Sequence, residues 1–121
     1  MSGGRILLVE DEWLILQVAA TELADAGYEV LSADNGDSAL ALLERGEQVD
    51  LLFTDVRMPG SLDGWALARR ARDLRPDLPV IYATGFSREA PGMVDGAVLV
   101  DKPYRLPELL TTIDRLLGRS G

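Results

Sequence analysis

The chain has 121 residues, 47% hydrophobic and 26% charged, a composition that predicts one globular domain over residues 1–121 with an ordinary core. Its 20 acidic and 12 basic residues give a net charge of −8, which disfavours binding to nucleic acids and to anionic membranes. Cysteine and histidine are both absent, which excludes disulfides, thiolate chemistry, the commonest metal ligand and an imidazole base.

Five short segments rich in valine, isoleucine and leucine are predicted to be strands. Several of them are apolar at consecutive positions, which is typical of parallel strands buried on both faces. The longest apolar run near the start, residues 6–9, is too short for a signal peptide or a membrane span, so we expect a cytoplasmic protein. In chain order, the predicted strands are residues 5–9, 28–33, 50–54, 79–83 and 96–100.

Apolar residues at helical spacing lie between and after these strands. Gly27, Gly46 and Gly118 are predicted to end three of the helices. The alternation of strands and helices predicts an α/β fold, in which a parallel sheet carries helices on both faces and a ligand crevice at the carboxyl ends of its strands. The helical spacing is found in residues 15–26, 39–43, 67–74 and 106–117.

Acidic residues follow two of the predicted strands. Glu10 and Asp11 come directly after the first strand, and Asp55 comes directly after the third. These two strands are neighbours in a doubly wound sheet, so Asp11 and Asp55 are predicted to approach one another. Carboxylates within ~5 Å repel each other, which either raises the pKa of one of them or recruits a cation. Since only oxygen ligands are available, Mg²⁺ is the natural candidate.

A hydroxyl and an ammonium group are predicted at the same edge of the sheet. Thr84 ends the fourth strand, and Lys102 follows the fifth. A carboxylate beside a divalent cation, a hydroxyl and a lysine can accept a phosphoryl group, with Asp55 as the nucleophile. Each residue alone also has a structural interpretation, as a helix cap, a strand-end hydroxyl or a surface turn. Their joint placement favours phosphoryl chemistry.

Four short motifs carry a resemblance to a known family. They are VEDE at residues 9–12, TDVRMPG at 54–60, ATG at 83–85 and DKPY at 101–104. Over essentially its whole length, the sequence resembles the receiver domain of two-component response regulators, in the single-domain, CheY-like form. The resemblance implies a flavodoxin-like (βα)5 fold with strand order 2-1-3-4-5. It also implies Mg²⁺ as cofactor and a sensor histidine kinase or histidine phosphotransfer protein as partner.

The resemblance further implies roles for individual residues. Asp55 is implied to be the phosphorylation site, and Thr84 and Lys102 are implied to contact the phosphoryl oxygens. Such a domain is not an enzyme in the usual sense, because its own activity is limited to Mg-dependent self-phosphorylation from small donors and autodephosphorylation. The implied metal site consists of Asp11, Asp55, the backbone carbonyl of Arg57, and Glu10 acting mostly through a metal-bound water.

Three departures from the family pattern predict a modified signalling surface. The loop at residues 61–64 is one residue longer than usual. Leu99 stands where the family has an aromatic switch residue, so the usual swing of that ring toward the threonine cannot occur. Only 17 residues separate Thr84 from Lys102, and Pro91-Gly92 interrupts them. We therefore expect the fourth of the family's five helices to be shortened, displaced or missing.

Residues 82–86 read YATGF, which is similar to the F-A-T-G-aromatic stretch of a subgroup of single-domain receivers with an altered fourth helix. Phe86 and Arg57 would then flank the phosphoryl group and tune access of water, with ordinary loop packing as the alternative. The bond between Lys102 and Pro103 is expected to be cis. Trp13 and Trp65 are expected to be partly buried against loops, with a partner-anchoring role as the alternative.

The sequence therefore predicts a stand-alone receiver that accepts a phosphoryl group on Asp55 and signals by docking to an unknown protein partner. The main alternative is a receiver-like docking module that works without phosphorylation. An aspartyl phosphohydrolase is disfavoured, because Arg57 stands where that pattern requires a second aspartate. A flavin or nucleotide carrier is also disfavoured, because the acidic loop after the first strand would repel its phosphate.

Overall fold

The computed structural model of the chain describes residues 4–58, 60–85, 93–102 and 104–118. Five strands and four helices lie within these ranges. The strands are β1 (Arg5–Val9), β2 (Glu29–Ala33), β3 (Leu51–Asp55), β4 (Val80–Thr84) and β5 (Val98–Asp101). The helices are α1 (Trp13–Asp25), α2 (Gly36–Glu44), α3 (Gly64–Leu74) and α4 (Leu106–Leu116).

The strands form one parallel sheet in the order β2-β1-β3-β4-β5, which confirms the predicted flavodoxin-like topology. All residues of β3 and β4 are buried, whereas the edge strands β2 and β5 are partly exposed. The predicted bounds of the first strand are confirmed, whereas those of the other four were wrong by one or two residues at one or both ends. Backbone pairing continues through the polar residues, so that Asp55 pairs with Ala83, and Thr84 with Asp101.

Two apolar clusters cover the two faces of the sheet. On one face, α2 and α3 contribute buried residues that include Leu40, Leu43 and Leu67. On the other face, α1 and α4 contribute buried residues that include Leu23 and Ile113. None of the helices in the described ranges combines the length and the apolar character needed to cross a membrane. The sheet is thus the middle layer of three, and its carboxyl edge stays open.

Capping side chains and glycines in the sequence mark where several of the helices begin and end. The side chain of Asn35 accepts a hydrogen bond from the Ser38 backbone N–H at 2.7 Å and caps α2. The predicted glycine stops are confirmed, since glycines follow α1, α2 and α4 in the left-handed region, where a side chain would be strained. These are Gly27, Gly46 and Gly118, with φ of +100°, +85° and +74°.

The longer loop before α3 packs against the start of α2. The Ser61 hydroxyl donates to the Asp37 carboxylate at 2.9 Å. A Cβ placed on Gly36 would lie 2.6 Å from the Leu62 carbonyl oxygen, so only glycine permits this approach. Asp63 ends the loop by accepting the Ala66 backbone N–H and capping α3. The additional residue is therefore held by contacts to a neighbouring helix.

The interval between β4 and β5 is short. Its described residues, 85 and 93–97, contain no helix, so a helix as long as α1 or α3 does not fit there. The described ranges hold four helices rather than five, which agrees with the expected shortening or displacement of the fourth family helix, and residues 86–92, on which that helix would fall, lie outside these ranges. The predictions made for Phe86, Pro91-Gly92 and Pro103 concern residues outside the described ranges.

Ion pairs and close packing hold the amino edge of the sheet. The Arg5 guanidinium lies 3.0 Å from the Glu29 carboxylate, and the Asp50 carboxylate accepts the Arg5 backbone N–H at 2.8 Å. A Cβ on Gly4 would lie 3.3 Å from the Leu117 side chain, directly after α4. The first described residue and the end of the last helix thus meet at this edge.

Candidate functional site

Three carboxylates meet at the carboxyl edge of the sheet. One oxygen atom each from Glu10, Asp11 and Asp55 lies within 4.8 Å of the others. β1 and β3 are paired neighbours, so Asp55 at the end of β3 is placed beside the two acids that follow β1. Their approach was predicted from the strand order, and the structure confirms it. Together they offer three oxygen ligands to a hard cation.

The three acids differ in their exposure to solvent. Glu10 is 4% exposed and Asp55 is 8% exposed, whereas Asp11 lies on the surface. Burial of two carboxylates side by side is unfavourable unless other charges compensate them. The group therefore has a buried base, formed by Glu10 and Asp55, and an open side at Asp11.

Lys102 supplies the compensating charge. Its ammonium group donates a hydrogen bond to Glu10 Oε1 at 2.9 Å and lies 3.1 Å from Asp55 Oδ2. One lysine among three ionised carboxylates leaves two net negative charges. A divalent cation would neutralise this remaining charge, so the donor set and the charge both fit Mg²⁺.

The protonation behaviour of the site follows from this crowding. Burial raises the pKa of Asp55 to about 6, with the charge of Glu10 acting in the same direction and the hydrogen bond from Lys102 opposing it. Burial and the neighbouring Glu10 also raise the pKa of Asp11. Burial disfavours ionised Glu10, but Lys102 and the Glu12 backbone N–H outweigh this effect and lower its pKa. For Lys102, the two carboxylates outweigh burial and raise the pKa.

Thr84 lies at the same edge as Lys102. It is the last residue of β4 and is 3% exposed, and its carbonyl accepts the Lys102 backbone N–H at 2.8 Å. Arg57 lies two residues after Asp55, and its side chain is exposed. The structure thus brings together Lys102 and the three acids and places Thr84 on the adjacent strand. The phosphoryl contact of Thr84 and the metal contact of the Arg57 carbonyl stay predictions.

The backbone of Asp55 is packed against the first residue of α3. A Cβ on Gly64 would lie 2.2 Å from the Asp55 carbonyl oxygen and 2.8 Å from Val56 Cα. The Gly64 backbone N–H also donates to the Val56 carbonyl at 2.8 Å. Sequence reasoning did not identify this contact. The Asp63-Gly64 pair before an apolar helix was the available signal, since glycine at a helix start permits close approach.

An apolar groove of about 650 Å³ adjoins the charged site. It runs along α1 to Lys102 and Tyr104. Trp13 is 70% exposed, so its predicted partial burial was wrong. It occupies the first position of α1, before the buried stripe of that helix begins. The predicted partial burial is right for Trp65, but this side chain packs against Tyr82 on β4 in the core rather than against a loop.

Known proteins similar to this chain point to one family. Residues 6–114 match the response regulator receiver domain. The chain is 38% identical to response regulator receiver protein CpdR of Brucella abortus, over 93% of this chain and 96% of CpdR. It is 36% identical to sensor kinase CckA of the same species, of which it spans 13%. A crystal structure of a response regulator receiver protein from Sinorhizobium medicae superposes with a TM-score of 0.91 at 32% identity, covering 95% of this chain and 94% of that one.

Proposed function

Because the chain belongs to the response regulator receiver domain family of two-component systems, we propose that Asp55 accepts a phosphoryl group from a histidine kinase or a histidine phosphotransfer protein. The main support is the arrangement around Asp55, where Lys102, Glu10 and Asp11 surround one carboxylate at an open edge. We further propose that residues 1–121 act as a stand-alone cytoplasmic receiver. The match to CpdR over 96% of its length supports this part of the proposal.

The chain's own residues account for the phosphoryl transfer step. An Asp55 oxygen attacks phosphorus, so that a P–O bond forms while the P–N bond of the donor phosphohistidine breaks, and the leaving imidazole keeps the electron pair. Asp55 must be ionised for this attack. With a pKa of about 6, it is mostly ionised at neutral pH. Lys102 neutralises charge on the phosphoryl oxygens, and the Thr84 hydroxyl donates to another of these oxygens.

Glu10, Asp11 and Asp55, together with the Arg57 carbonyl, would hold Mg²⁺. When bound, this cation supplies positive charge against the phosphoryl oxygens. Receiver domains bind Mg²⁺ at an acidic pocket, and the three carboxylates of this chain fit that description. Lys102 already compensates part of the negative charge of these acids, so the lysine and a bound cation would share the neutralisation of the site.

The groove beside α1 gives a donor protein a place to dock. Leu14 lines the groove and is 68% exposed, and the groove reaches Lys102. Trp13 directly precedes Leu14 at the start of α1 and is 70% exposed. Large exposed aromatic side chains are the residues that most often dominate protein interfaces. A donor seated there would present its phosphohistidine close to Asp55. We therefore expect Trp13→Ala to slow transfer from a phosphorylated histidine phosphotransfer protein without slowing self-phosphorylation from acetyl phosphate.

Acetyl phosphate tests the proposed function directly. The protein is incubated with Mg²⁺ and acetyl phosphate, and mass spectrometry follows a phosphoryl adduct that hydroxylamine removes. We expect the adduct in the wild type, its loss in Asp55→Asn, and its retention in Asp101→Asn. Asp101 is a matched control, because it is an aspartate that also ends a strand, β5, which lies two strands from β3, and its side chain lies on the surface. An adduct that survives Asp55→Asn contradicts the assignment, and no adduct with any donor favours the phosphorylation-independent docking module.

A further inference from the structure

The buried aromatic side chain nearest to position 99 lies on β4. Leu99 on β5 is paired with Tyr82 on β4, and both side chains belong to the apolar cluster beneath α2 and α3. Tyr82 has no exposed surface, whereas Leu99 is only partly buried. The Tyr82 ring is therefore fixed in the core on β4. The family pattern has its aromatic residue at position 99, on the adjacent strand β5.

The hydroxyl group of Tyr82 holds the segment that precedes β5. It accepts a hydrogen bond from the Val94 backbone N–H at 3.2 Å. A phenylalanine would fill the same apolar space without bringing a polar oxygen into the core, where a hydroxyl requires a partner. The hydroxyl thus has a specific role, which is to fix the position of Val94 relative to the sheet.

The ring of Tyr82 is also connected to the backbone of Asp55 through Trp65 and Gly64. The Trp65 and Tyr82 ring centroids are 4.6 Å apart, with an angle of 56° between the ring planes. Trp65 follows Gly64, whose backbone lies against the Asp55 carbonyl. On the other side, Thr84 lies two residues after Tyr82 on the same strand, so both side chains point to the same face. One path of contacts, through Trp65 and Gly64, therefore joins the Asp55 backbone to the Tyr82 ring, and Thr84 shares a face of β4 with that ring.

We propose that Tyr82, rather than Leu99, is the positioning residue that couples the state of Asp55 to residues 93–97. This inference rests on the proposed function, since it requires Asp55 to be modified. A new group on Asp55 displaces Gly64 or draws Thr84 toward it, and either movement changes the environment of the Tyr82 ring. The Val94 amide then exchanges between a state held by the Tyr82 oxygen and a released state. These two arrangements present different surfaces to a partner.

Coupling of this kind must act in both directions. If modification of Asp55 alters the hydrogen bond between Tyr82 and Val94, then removal of that bond must alter the affinity of the Asp55 site by the same factor. Substitution of a residue that merely stabilises the core lowers the free energy of unfolding but leaves this affinity unchanged. The affinity measurement therefore separates a coupling role from a structural one.

Two tyrosine variants provide the comparison. Tyr82→Phe removes only the hydroxyl that binds Val94. Tyr28→Phe is the matched control, because Tyr28 is also buried and its hydroxyl donates to Asp114, on the opposite face of the sheet. Urea unfolding of both variants measures the loss of stability that each hydroxyl causes. Because phenylalanine fits both apolar sites, both variants are expected to fold.

Beryllofluoride with Mg²⁺, a mimic of the acyl phosphate, is the probe. Calorimetry measures its affinity, and NMR measures hydrogen exchange at the Val94 amide. In the wild type, we expect beryllofluoride to change Val94 exchange several-fold. In Tyr82→Phe, we expect this response to disappear and the affinity for beryllofluoride to change by about fivefold or more, whereas Tyr28→Phe stays within about twofold of the wild type.

The possible failures are distinguishable. If beryllofluoride does not bind the wild type, the proposed function is wrong, and this inference is wrong with it. If beryllofluoride binds but Val94 exchange does not respond, only the coupling through Tyr82 is wrong. The same conclusion follows if Tyr82→Phe and Tyr28→Phe bind beryllofluoride with the wild-type affinity.

Discussion

Two regions that both contact Asp55 are built in different ways. Its side chain is surrounded by charge, from Lys102, Glu10 and Asp11. Its backbone is in contact with close-packed residues, beginning at Gly64 and continuing to Trp65. The charged region sets the chemistry of the carboxylate, and the packed region determines what a change at that carboxylate can move. Substitutions in the charged region should therefore act mainly on the chemistry of Asp55, and substitutions in the packed region mainly on stability and on coupling to residues 93–97.

The largest effect is expected for Lys102→Met, which breaks the charged region alone. The methionine keeps most of the side-chain length but removes the charge shared by Glu10 and Asp55. We expect self-phosphorylation from acetyl phosphate to slow by about 100-fold, because one charged group that stabilises the transition state is lost. Rates of adduct formation at saturating Mg²⁺ measure this. A loss of less than about threefold would show that Lys102 has only a structural role.

Gly64→Ala breaks the packed region alone. A Cβ there meets the Asp55 carbonyl at 2.2 Å, so the backbone must shift, and we expect a loss of about 2 kcal/mol in the free energy of unfolding. Urea denaturation measures this loss. Gly85→Ala is the control, since a Cβ there meets nothing closer than Lys102 Cβ at 3.8 Å. Equal stability of the two variants would contradict the close packing of Gly64 against Asp55.

The pH dependence of Mg²⁺ binding sharpens the description of the charged region. With a pKa of about 6, Asp55 is largely ionised at pH 7.5 and largely protonated at pH 5, so Mg²⁺ affinity should fall by about tenfold between these values. Without metal, ionisation of the buried Asp55 carboxyl is unfavourable in the folded state. The contribution of Asp55 to the free energy of unfolding is therefore lost as the pH rises through 6. Calorimetric titration at both pH values measures the affinity. Unchanged affinity would show that Asp55 does not take part in binding the cation.

Leu99→Tyr tests how much free space the packed region leaves beside Tyr82, and its expected effect on stability is smaller than that of Gly64→Ala. The new ring would lie beside Tyr82, which already fills the core at this level, so we expect a loss of about 1 kcal/mol in stability through overpacking. Leu99→Met is the control, because it changes the volume little. Thermal or urea unfolding compares the two variants. A stabilised Leu99→Tyr would mean that the core has room for a second ring.

The charged region could be predicted from the sequence for a simple reason. In a parallel sheet, the carboxyl ends of all strands lie at one edge, so residues directly after the strands are brought together regardless of the loops between them. Glu10 and Asp55 directly follow an apolar run that predicts a strand, and Lys102 stands two residues after such a run. Strand order and the proximity of these acids follow from that pattern. The exact ends of the strands do not, because backbone pairing extends through Asp55 and Thr84.

The packed region could not be predicted in the same way. Val94 lies 12 residues from Tyr82, with no motif that relates the two. Such contacts depend on how two elements pack after the chain has folded. The exposure of Trp13 has a similar cause, since helical spacing predicts which face is apolar but not which residue another element covers.

The meeting of Gly4 and Leu117 at the amino edge has a practical consequence for engineering. Because these positions are neighbours in space, a short peptide could join them, and the chain could then be reopened at another surface loop. If the two positions are instead left unjoined, fluorescent proteins attached near residues 4 and 117 would stand at the end of the sheet opposite to Asp55. Such sensors could report on phosphorylation in a living cell while the donor and the downstream partner keep free access.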